Sequence, residues 1–264
     1  MNARSSDRRA LADASSSLNA RAFLTLKRFC CQGVFTAKAV VLQGSLLIVL
    51  SKEQVSSEVM KITSDSGLAF FIRSYYLKVV KPESIAVNAE FTDEQERDIV
   101  DSGFAFAAES KALDYLSRAE QCRSGLAKKL LNKNHEKKAV DAALDYLELK
   151  NYLSDERFAR SWLNSRRINH SEGRVKLAAE LAARGISRDI AGKVLDDFFA
   201  ETPEMEFCKK DFYKISKTCS DSEKIIRRMS SHGFSYSMIK KVIRAEGACQ
   251  DYLDGINGAP GGSL

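Results

Sequence analysis

The sequence predicts a mainly α-helical fold, in which three tandem three-helix repeats form an elongated curved array behind a small β-rich N-terminal region. Only 3 prolines and 14 glycines occur in 264 residues, too few for a proline-rich or turn-dense all-β chain. From about Thr92 onward, apolar residues recur at the i, i+3 and i+4 spacing of amphipathic helices. One helical pattern then returns twice, at intervals of 51 and 48 residues. With 44% hydrophobic residues, the chain can bury a sizeable core.

The first 91 residues divide into two parts. Residues 1–21 are rich in Ser, Ala and Arg and lack the apolar segment of a secretory signal, so we predict a disordered lead-in. A transit peptide is the alternative, although such segments are poor in acids and this one contains Asp7 and Asp13. For residues 22–91 we predict a small sheet in which Gly44-Ser45 forms a hairpin turn. We also predict one helix near residues 52–63. The β-branched and aromatic runs of this region fall at residues 34–36, 39–42, 46–50, 70–72 and 75–80.

Cysteine usage and hydropathy bear on where the protein works. The six cysteines lie at positions 30, 31, 122, 208, 219 and 249. No pair has the C-x-x-C spacing, and the vicinal Cys30-Cys31 pair suits neither a structural disulfide nor a zinc site. Scattered thiols indicate a reducing compartment, so we predict cytoplasmic localisation. The strongest apolar run, residues 39–50, is too short to cross a bilayer, and we expect no membrane partner.

The helical half begins at a capping box and is built from a repeated unit. In the segment Thr92-Asp93-Glu94-Gln95, the Thr hydroxyl and the Gln side chain can satisfy the first free amides of a helix. Each repeat has an apolar pair four residues apart, a residue suited to a left-handed helix end, and a second amphipathic segment. Another helical segment precedes each pair, which makes three helices per repeat. The pairs and turn residues are Leu126, Leu130 and Asn134; Leu177, Leu181 and Gly185; and Ile225, Met229 and Gly233.

The residues after each turn complete the predicted unit. Ser187 and Ser235 are placed to cap the following helix, while Ile186 and Phe234 can pack back on the preceding one. Because a unit of about 50 residues buries little by itself, we expect neighbouring units to stack and complete the core. The predicted divisions are residues 92–150 for a lead-in helix and the first repeat, 151–200 for the second, 201–246 for the third, and 247–264 for a flexible tail.

The net charge of +6 understates how basic parts of the repeats are. Residues 122–138, 157–176 and 224–244 carry +5, +5 and +6, so the rest of the chain carries −10. A basic stripe that recurs once per repeat can follow an acidic protein filament or a nucleic-acid backbone. The alternative is a set of solvated helix faces, with cations favoured near helix C-termini. The candidate binding residues are Lys128, Lys129, Arg157, Arg160, Arg166, Arg167, Arg174, Lys176, Arg227, Arg228, Lys240 and Lys241.

Patterns that would indicate catalysis are missing from the sequence. There is no phosphate-binding G-x-x-x-x-G-K-[ST] loop, no G-x-G-x-x-G after a strand and no G-x-S-x-G nucleophile elbow. The histidines His135, His170 and His232 fall in different segments, with no four convergent ligands for zinc. The sequence therefore predicts a non-enzymatic protein without a metal or cofactor.

Three ordered segments resemble the RecX regulatory proteins of bacterial recombination. They are A-L-D-Y-L-S-R at residues 112–118, D-E-R-F-A at 155–159, and G-R-V-K-L-A-A-E-L followed by R-G-I within 173–186. Each segment alone is a weak signal, but their order makes the combination specific. The resemblance covers roughly residues 92–246 and is strongest over 109–195, and the H-G-F-S turn at 232–235 fits the last repeat of the family.

The resemblance implies a modulator that binds RecA, lies in the groove of the RecA–DNA filament, and limits recombinase activity and filament growth in homologous recombination, DNA repair and the SOS response. It implies three tandem three-helix repeats and no catalytic residues or cofactor. Arg166, Lys176 and Arg184 occupy basic positions of the family pattern, which adds Arg184 to the candidate binding residues. The framework residues of the pattern are Asp155, Phe158, Gly173, Leu181, Gly185 and Gly233.

The sequence departs from the family pattern in two places, and it leaves two alternative functions open. Residues 1–90 do not match the short β segment that precedes the repeats in longer family members, and Asn134 replaces a turn glycine. One alternative is a stand-alone helical-repeat DNA-binding regulator, for which we expect salt-sensitive, sequence-selective duplex binding without RecA. The other is an enzyme with a site in residues 22–90. We expect a monomer that contacts RecA, the RecA–ssDNA filament and DNA phosphates.

Overall fold

A computed structural model describes residues 47–65 and 67–246. Several sequence predictions lie outside these described residues: the lead-in at 1–21, the Cys30-Cys31 pair, the runs at 34–36 and 39–42, the turn at Gly44-Ser45 and the tail at 247–264. The chain forms two compact units that divide between Phe104 and Ala105.

The N-terminal unit contains a three-stranded antiparallel sheet. Its strands are β1 (Val49–Gln54), β2 (Val59–Ser64) and β3 (Ala69–Arg73), and β2 lies between the other two. Met60, Ile62 and Ile72 are almost completely buried, together with residues that follow the sheet in sequence. The small sheet predicted for this region is therefore present. The predicted run at 70–72 lies within β3 and the run at 46–50 overlaps the start of β1, whereas β2 matches no predicted run.

The helix predicted near residues 52–63 is wrong, because this segment is a β-hairpin formed by β1 and β2. The backbone amides of Val55 and Ser56 both donate to the carbonyl of Val59 at 3.0 Å, which closes a tight turn. Buried Met60 and Ile62 then alternate with half-buried Lys61, which is the two-residue period of a strand. The alternation covers too few residues to stand out in the sequence from the charged residues around it.

The strand predicted at residues 75–80 is also wrong. Ser74–Tyr76 is a single 3₁₀ turn, and the chain continues without a strand partner. The backbone amides of Lys78, Val79 and Val80 donate to the carboxylate of Asp98, which is 8% exposed, at 2.8 to 3.0 Å. One buried side chain thus satisfies the amides that a neighbouring strand would otherwise pair.

Nine α-helices follow in the described part of the chain. The first begins at the predicted capping box, where the Thr92 amide donates to Gln95 Oε1 at 3.0 Å and the Gln95 amide donates to Thr92 Oγ1 at 3.4 Å. The helices are α1 (Asp93–Leu116), α2 (Arg123–Leu131), α3 (Lys137–Leu149), α4 (Asp155–Asn169), α5 (Arg174–Ala183), α6 (Arg188–Glu201), α7 (Glu204–Ser216), α8 (Ser222–Ser231) and α9 (Tyr236–Ala245).

These helices form three successive groups that turn in the same way. The first group is the C-terminal half of α1 with α2 and α3, the second is α4–α6 and the third is α7–α9. Asn134, Gly185 and Gly233 have φ angles of 64°, 82° and 89°, so each occupies the left-handed region predicted for it. The predicted caps are confirmed as well, because Ser187 accepts from the Ile190 amide and Ser235 from the Met238 amide.

The three groups do not bury their apolar residues in the same way. The first group has its own core, formed by residues such as Leu126, Leu130 and Leu144. The second and third groups share one larger core that runs from Ala159 in α4 to Ile243 in α9, and Cys122, directly before α2, is the residue of the first group that belongs to it. We expected neighbouring repeats to stack and complete each other's core. This expectation holds for the second and third groups.

The same contact joins each group to the next. The first amide of α2, on Arg123, donates to Asp155 Oδ1 at the start of α4 at 2.7 Å. The first amide of α5, on Arg174, donates to Glu204 Oε1 at the start of α7 at 2.8 Å. An acidic residue that begins one group thus caps the middle helix of the group before it, where an anion is favoured by the helix dipole.

The turn glycines lie at these joints. A Cβ on Gly185 would lie 2.7 Å from the Cβ of Ser124 in α2, and a Cβ on Gly233 would lie 2.6 Å from the Lys176 amide nitrogen in α5. Gly173 donates its amide to the His232 carbonyl at 2.9 Å, and a Cβ there would collide with the Gly233 backbone. Glycine lets the backbones of the second and third groups touch directly at Gly173 and Gly233, and at Gly185 it leaves room for the side chain of Ser124.

Candidate functional site

All of the candidate cations between Arg157 and Arg184, in the second group, form ion pairs. Arg157 pairs with Glu120, Arg160 with Glu156 and Asp197, Arg167 with Glu201, and Arg174 with Asp196, with nitrogen–oxygen distances of 2.6 to 3.0 Å. Arg166, Lys176 and Arg184 pair with Glu172 or Glu180 at 2.8 to 3.5 Å.

The acids that pair with these cations come mostly from other segments. Glu120 precedes the basic window of residues 157–176, while Asp196, Asp197 and Glu201 belong to α6. A charge count within the window therefore overstates the positive potential that this face presents. Pairs this exposed contribute about 0 to 1 kcal/mol each to stability.

One cluster of charges in the second group is partly buried. Glu172 is 7% exposed, and its carboxylate lies 3.0 Å from Arg166 Nε and 2.8 Å from Lys176 Nζ. Arg166 also reaches Glu180, and its guanidinium lies 5.3 Å from the centre of the Trp162 ring. Arg184 lies over the same ring at 4.5 Å. Both arginines thus lie close to one aromatic ring, which packs against the shared core.

Glu172 and Trp162 were not among the candidate residues predicted from sequence. The sequence signal for Glu172 was its position near the start of a predicted helix, four residues before Lys176. This is the spacing of an ion pair along a helix. A lone acid in a basic window gave no indication that it is buried. Trp162 gave no sequence signal beyond a core position, because Arg184, which stacks on it from the end of α5, is 22 residues away.

The candidate cations of the first and third groups have fewer acidic partners. Lys128, Arg228 and Lys241 are exposed and form no ion pair within the described part of the chain. Lys129 donates to Gln121 at 2.7 Å and Lys240 lies 4.6 Å from the Tyr236 ring centre, so neither is neutralised by a carboxylate there. Arg227 pairs with Glu223 at 3.1 Å, and both side chains are exposed. Among the candidate cations, those without a carboxylate partner in the described residues therefore lie outside the second group.

One histidine lies where the second and third groups contact each other. His232 Nδ1 lies 2.8 Å from Oδ2 of Asp211, whose side chain is 4% exposed. Burial raises the pKa of Asp211, and the hydrogen bond with His232 opposes that rise. Because the His232 carbonyl also accepts from Gly173, this pair positions the turn that contacts α5.

The described cysteines behave as small buried residues. Cys122 and Cys208 are buried, and Cys219 is half-buried. Burial raises the pKa of Cys208 to about 12, with Asp211 and Glu204 adding to the effect, so its thiol stays protonated. Within residues 47–65 and 67–246, no group of three or more His, Cys, Asp or Glu side chains could hold a metal ion. No helix in that part of the chain is both long enough and apolar enough to span a membrane.

Comparison with known proteins places the helical groups in one family. The first three-helix domain of RecX matches residues 108–147, and the second matches residues 154–195. The regulatory protein RecX of Treponema pallidum (strain Nichols) is 30% identical over 155 residues, which span 59% of this chain and 94% of that protein. The chain belongs to the RecX family of regulatory proteins.

Other RecX proteins extend the match. The regulatory protein RecX of Clostridioides difficile (strain 630) is 25% identical over 181 residues, spanning 66% of this chain and 84% of the relative. A crystal structure of regulatory protein RecX has the same fold, with a TM-score of 0.60 at 21% identity over 75% of this chain and all of that one. These relatives are regulatory proteins rather than enzymes, so a catalytic site in residues 22–90 has no support among them.

The RecX framework residues lie in the core and at the joints. Leu181 is fully buried in the shared core, and Phe158 packs against it. Asp155 caps α2, Gly173 and Gly233 provide a close backbone contact between groups, and Gly185 lies against the side chain of Ser124. These positions hold the groups together, whereas the basic residues of the RecX pattern lie on the surface around Trp162.

Proposed function

We propose that this protein binds the recombinase RecA and the RecA–ssDNA filament, and that it restrains recombinase activity in recombination, DNA repair and the SOS response. The observation that carries the proposal is the match to a protein named regulatory protein RecX over 94% of its length. The protein needs no reacting group for this role. It needs a surface that fits the filament and helical groups held in a fixed register.

We further propose that the cations left without carboxylate partners are the main contact surface. Lys128, Arg228 and Lys241 are exposed and unpaired within the described residues, so their charge is available to an acidic protein surface or to DNA phosphates. The paired arginines around Trp162 can contribute only by exchanging an existing carboxylate for a new anion. This exchange makes them weaker contributors per residue.

The test is a pull-down with the immobilised full-length protein, carried out with RecA alone, with RecA–ssDNA filaments and with ssDNA alone. Inhibition of the DNA-dependent ATPase of RecA is measured in parallel. We expect retention of RecA filaments and a fall in ATPase rate. If neither RecA nor its filament is retained and the ATPase rate is unchanged, the proposed function is wrong.

The surface is tested by the double substitution Arg228→Glu and Lys241→Glu. We expect inhibition to require at least about tenfold more protein, because each reversal replaces an attraction with a repulsion of about 1 kcal/mol. The matched control is Lys78→Glu with Lys81→Glu, two exposed lysines of the N-terminal unit, which makes the same change in net charge. Equal loss of inhibition in both variants would assign the effect to net charge rather than to this surface.

A further inference from the structure

A groove in the second compact unit carries lysines that the sequence analysis did not select. The groove is open, has a volume of about 500 Å³, and runs between the end of α4 and one face of α7. Lys210, Lys214 and Lys217 line it on the α7 side, and Ile168 lines it on the α4 side. None of these residues belongs to the candidate cations predicted from sequence.

The three lysines form a stripe along α7 and its C-cap residue, Lys217. They are separated by four and three residues, so they lie on one face and span about 10 Å of the helix. All three are exposed, and none forms an ion pair within the described residues. Lys209 pairs with Glu206 at 3.4 Å, which leaves the groove with three unneutralised positive charges.

This arrangement contrasts with the rest of the second unit, where most arginines have a carboxylate within 3.1 Å. Like charges four residues apart destabilise a helix. Two acids of α7, Glu204 and Glu206, lie in its first turn, and the third, Asp211, is buried and hydrogen-bonded to His232. A bound anion with several charges would relieve this repulsion. The stripe therefore fits an extended polyanion better than a single ion.

An aromatic ring lies between the lysines. Tyr213 is 50% exposed and lines the groove, and its ring meets Phe212 edge-on at 6.0 Å. Its hydroxyl donates to Glu246, which follows α9, so the ring is held at both ends. Ile168, 75% exposed, adds apolar surface at the opposite wall. A half-exposed ring among unpaired cations is the combination with which proteins bind unpaired bases and the phosphates between them.

We propose that this groove binds single-stranded nucleic acid, with Lys210, Lys214 and Lys217 on successive phosphates and a base stacked on Tyr213. Lysines act as point charges that follow a flexible phosphate chain, whereas the fork of an arginine, which carboxylates prefer, is absent from the lining. The binding is tolerant of sequence, because stacking and phosphate contacts read no base edges. The proposal does not depend on the proposed action on RecA.

The test is fluorescence anisotropy of a labelled 20-nucleotide oligo(dT) titrated with the full-length protein in the absence of RecA. With three phosphate contacts, affinity is expected to fall about 20-fold between 50 and 200 mM salt. Lys210→Gln with Lys214→Gln should lower the affinity and reduce the slope of log K against log salt by about 1.4. The control, Lys78→Gln with Lys81→Gln, removes two exposed lysines of the N-terminal unit and should leave both the affinity and the slope unchanged.

Substitutions of the ring separate stacking from charge. Tyr213→Leu should weaken oligo(dT) binding about tenfold, while Tyr213→Phe, which loses only the bond to Glu246, should stay close to wild type. The proposal is overturned if both lysine pairs weaken binding equally, or if oligo(dT) does not bind at 50 mM salt. It is also overturned if poly-glutamate competes as well as oligo(dT) does, which would make the groove a site for acidic polypeptide. Since RecA is absent, these results are independent of the proposed function.

Discussion

At the scale of single residues, Glu172 explains why the basic window of residues 157–176 is not a strongly positive surface. Its nearly buried carboxylate holds Arg166 and Lys176 together, and Arg166 in turn lies against Trp162. A buried carboxylate without a cation is costly, because its desolvation is no longer offset. Arg166 and Lys176 therefore stabilise the fold, whatever they contribute to binding.

Replacing Arg166 by Met should lower the free energy of unfolding by about 2 kcal/mol, because Glu172 and Glu180 would then be left with Lys176 and Arg184 as their cations. Arg167→Met is the matched control, since Arg167 pairs with the exposed Glu201 and should cost less than about 0.5 kcal/mol. Urea unfolding followed by circular dichroism measures both. Equal losses of unfolding free energy in the two variants would mean that the burial of Glu172 adds nothing to its ion pair with Arg166.

At the scale of elements, the helix ends follow local sequence and the hairpin of β1 and β2 does not. The capping box at Thr92, the serine caps and the left-handed turn residues were all predicted, because each depends on residues within a few positions of one another. The helix prediction fails at the hairpin of residues 49–64, because the strands there gain stability from pairing across a turn. A window along the chain does not contain that information.

Gly185 and Asn134 occupy equivalent turns and should respond differently to substitution. Gly185→Ala should destabilise the protein by about 1 to 2 kcal/mol, because alanine disfavours the left-handed region and its Cβ would press on Ser124. Asn134→Gly should change stability by less than about 0.5 kcal/mol, since glycine accepts that conformation. Thermal unfolding of both variants measures the difference. An unchanged midpoint of thermal unfolding for Gly185→Ala would show that the contact with Ser124 accommodates the methyl group without loss of stability.

At the scale of the whole molecule, the second and third helical groups share one core and one backbone contact. The Gly173 amide donates to His232, and the two glycine backbones of Gly173 and Gly233 meet with no room for a side chain. We therefore expect these two groups to unfold together, while the first group has a core of its own.

Gly173→Ala tests this coupling, because its φ angle of −80° is ordinary for alanine and only the contact with Gly233 is disturbed. We expect a loss of about 2 kcal/mol, with helices α4–α9 losing hydrogen-exchange protection together. The control is Gly192→Ala within α6, where nothing lies within 4 Å and alanine should stabilise the helix by about 1 kcal/mol. Loss of protection in α7–α9 alone would argue against a shared unit.

The sequence by itself determined the helices and their caps, the repeat and its turns, and the family, because these depend on short-range order along the chain. It also identified which residues are basic. Only the tertiary structure decided which of them remain unneutralised. The partners of Arg157, Arg160, Arg167 and Arg174 come from other segments of the chain: Glu120 from the loop before α2, and Asp196, Asp197 and Glu201 from α6. Coulomb attraction depends on distance in space, and a count along the sequence contains no such distance.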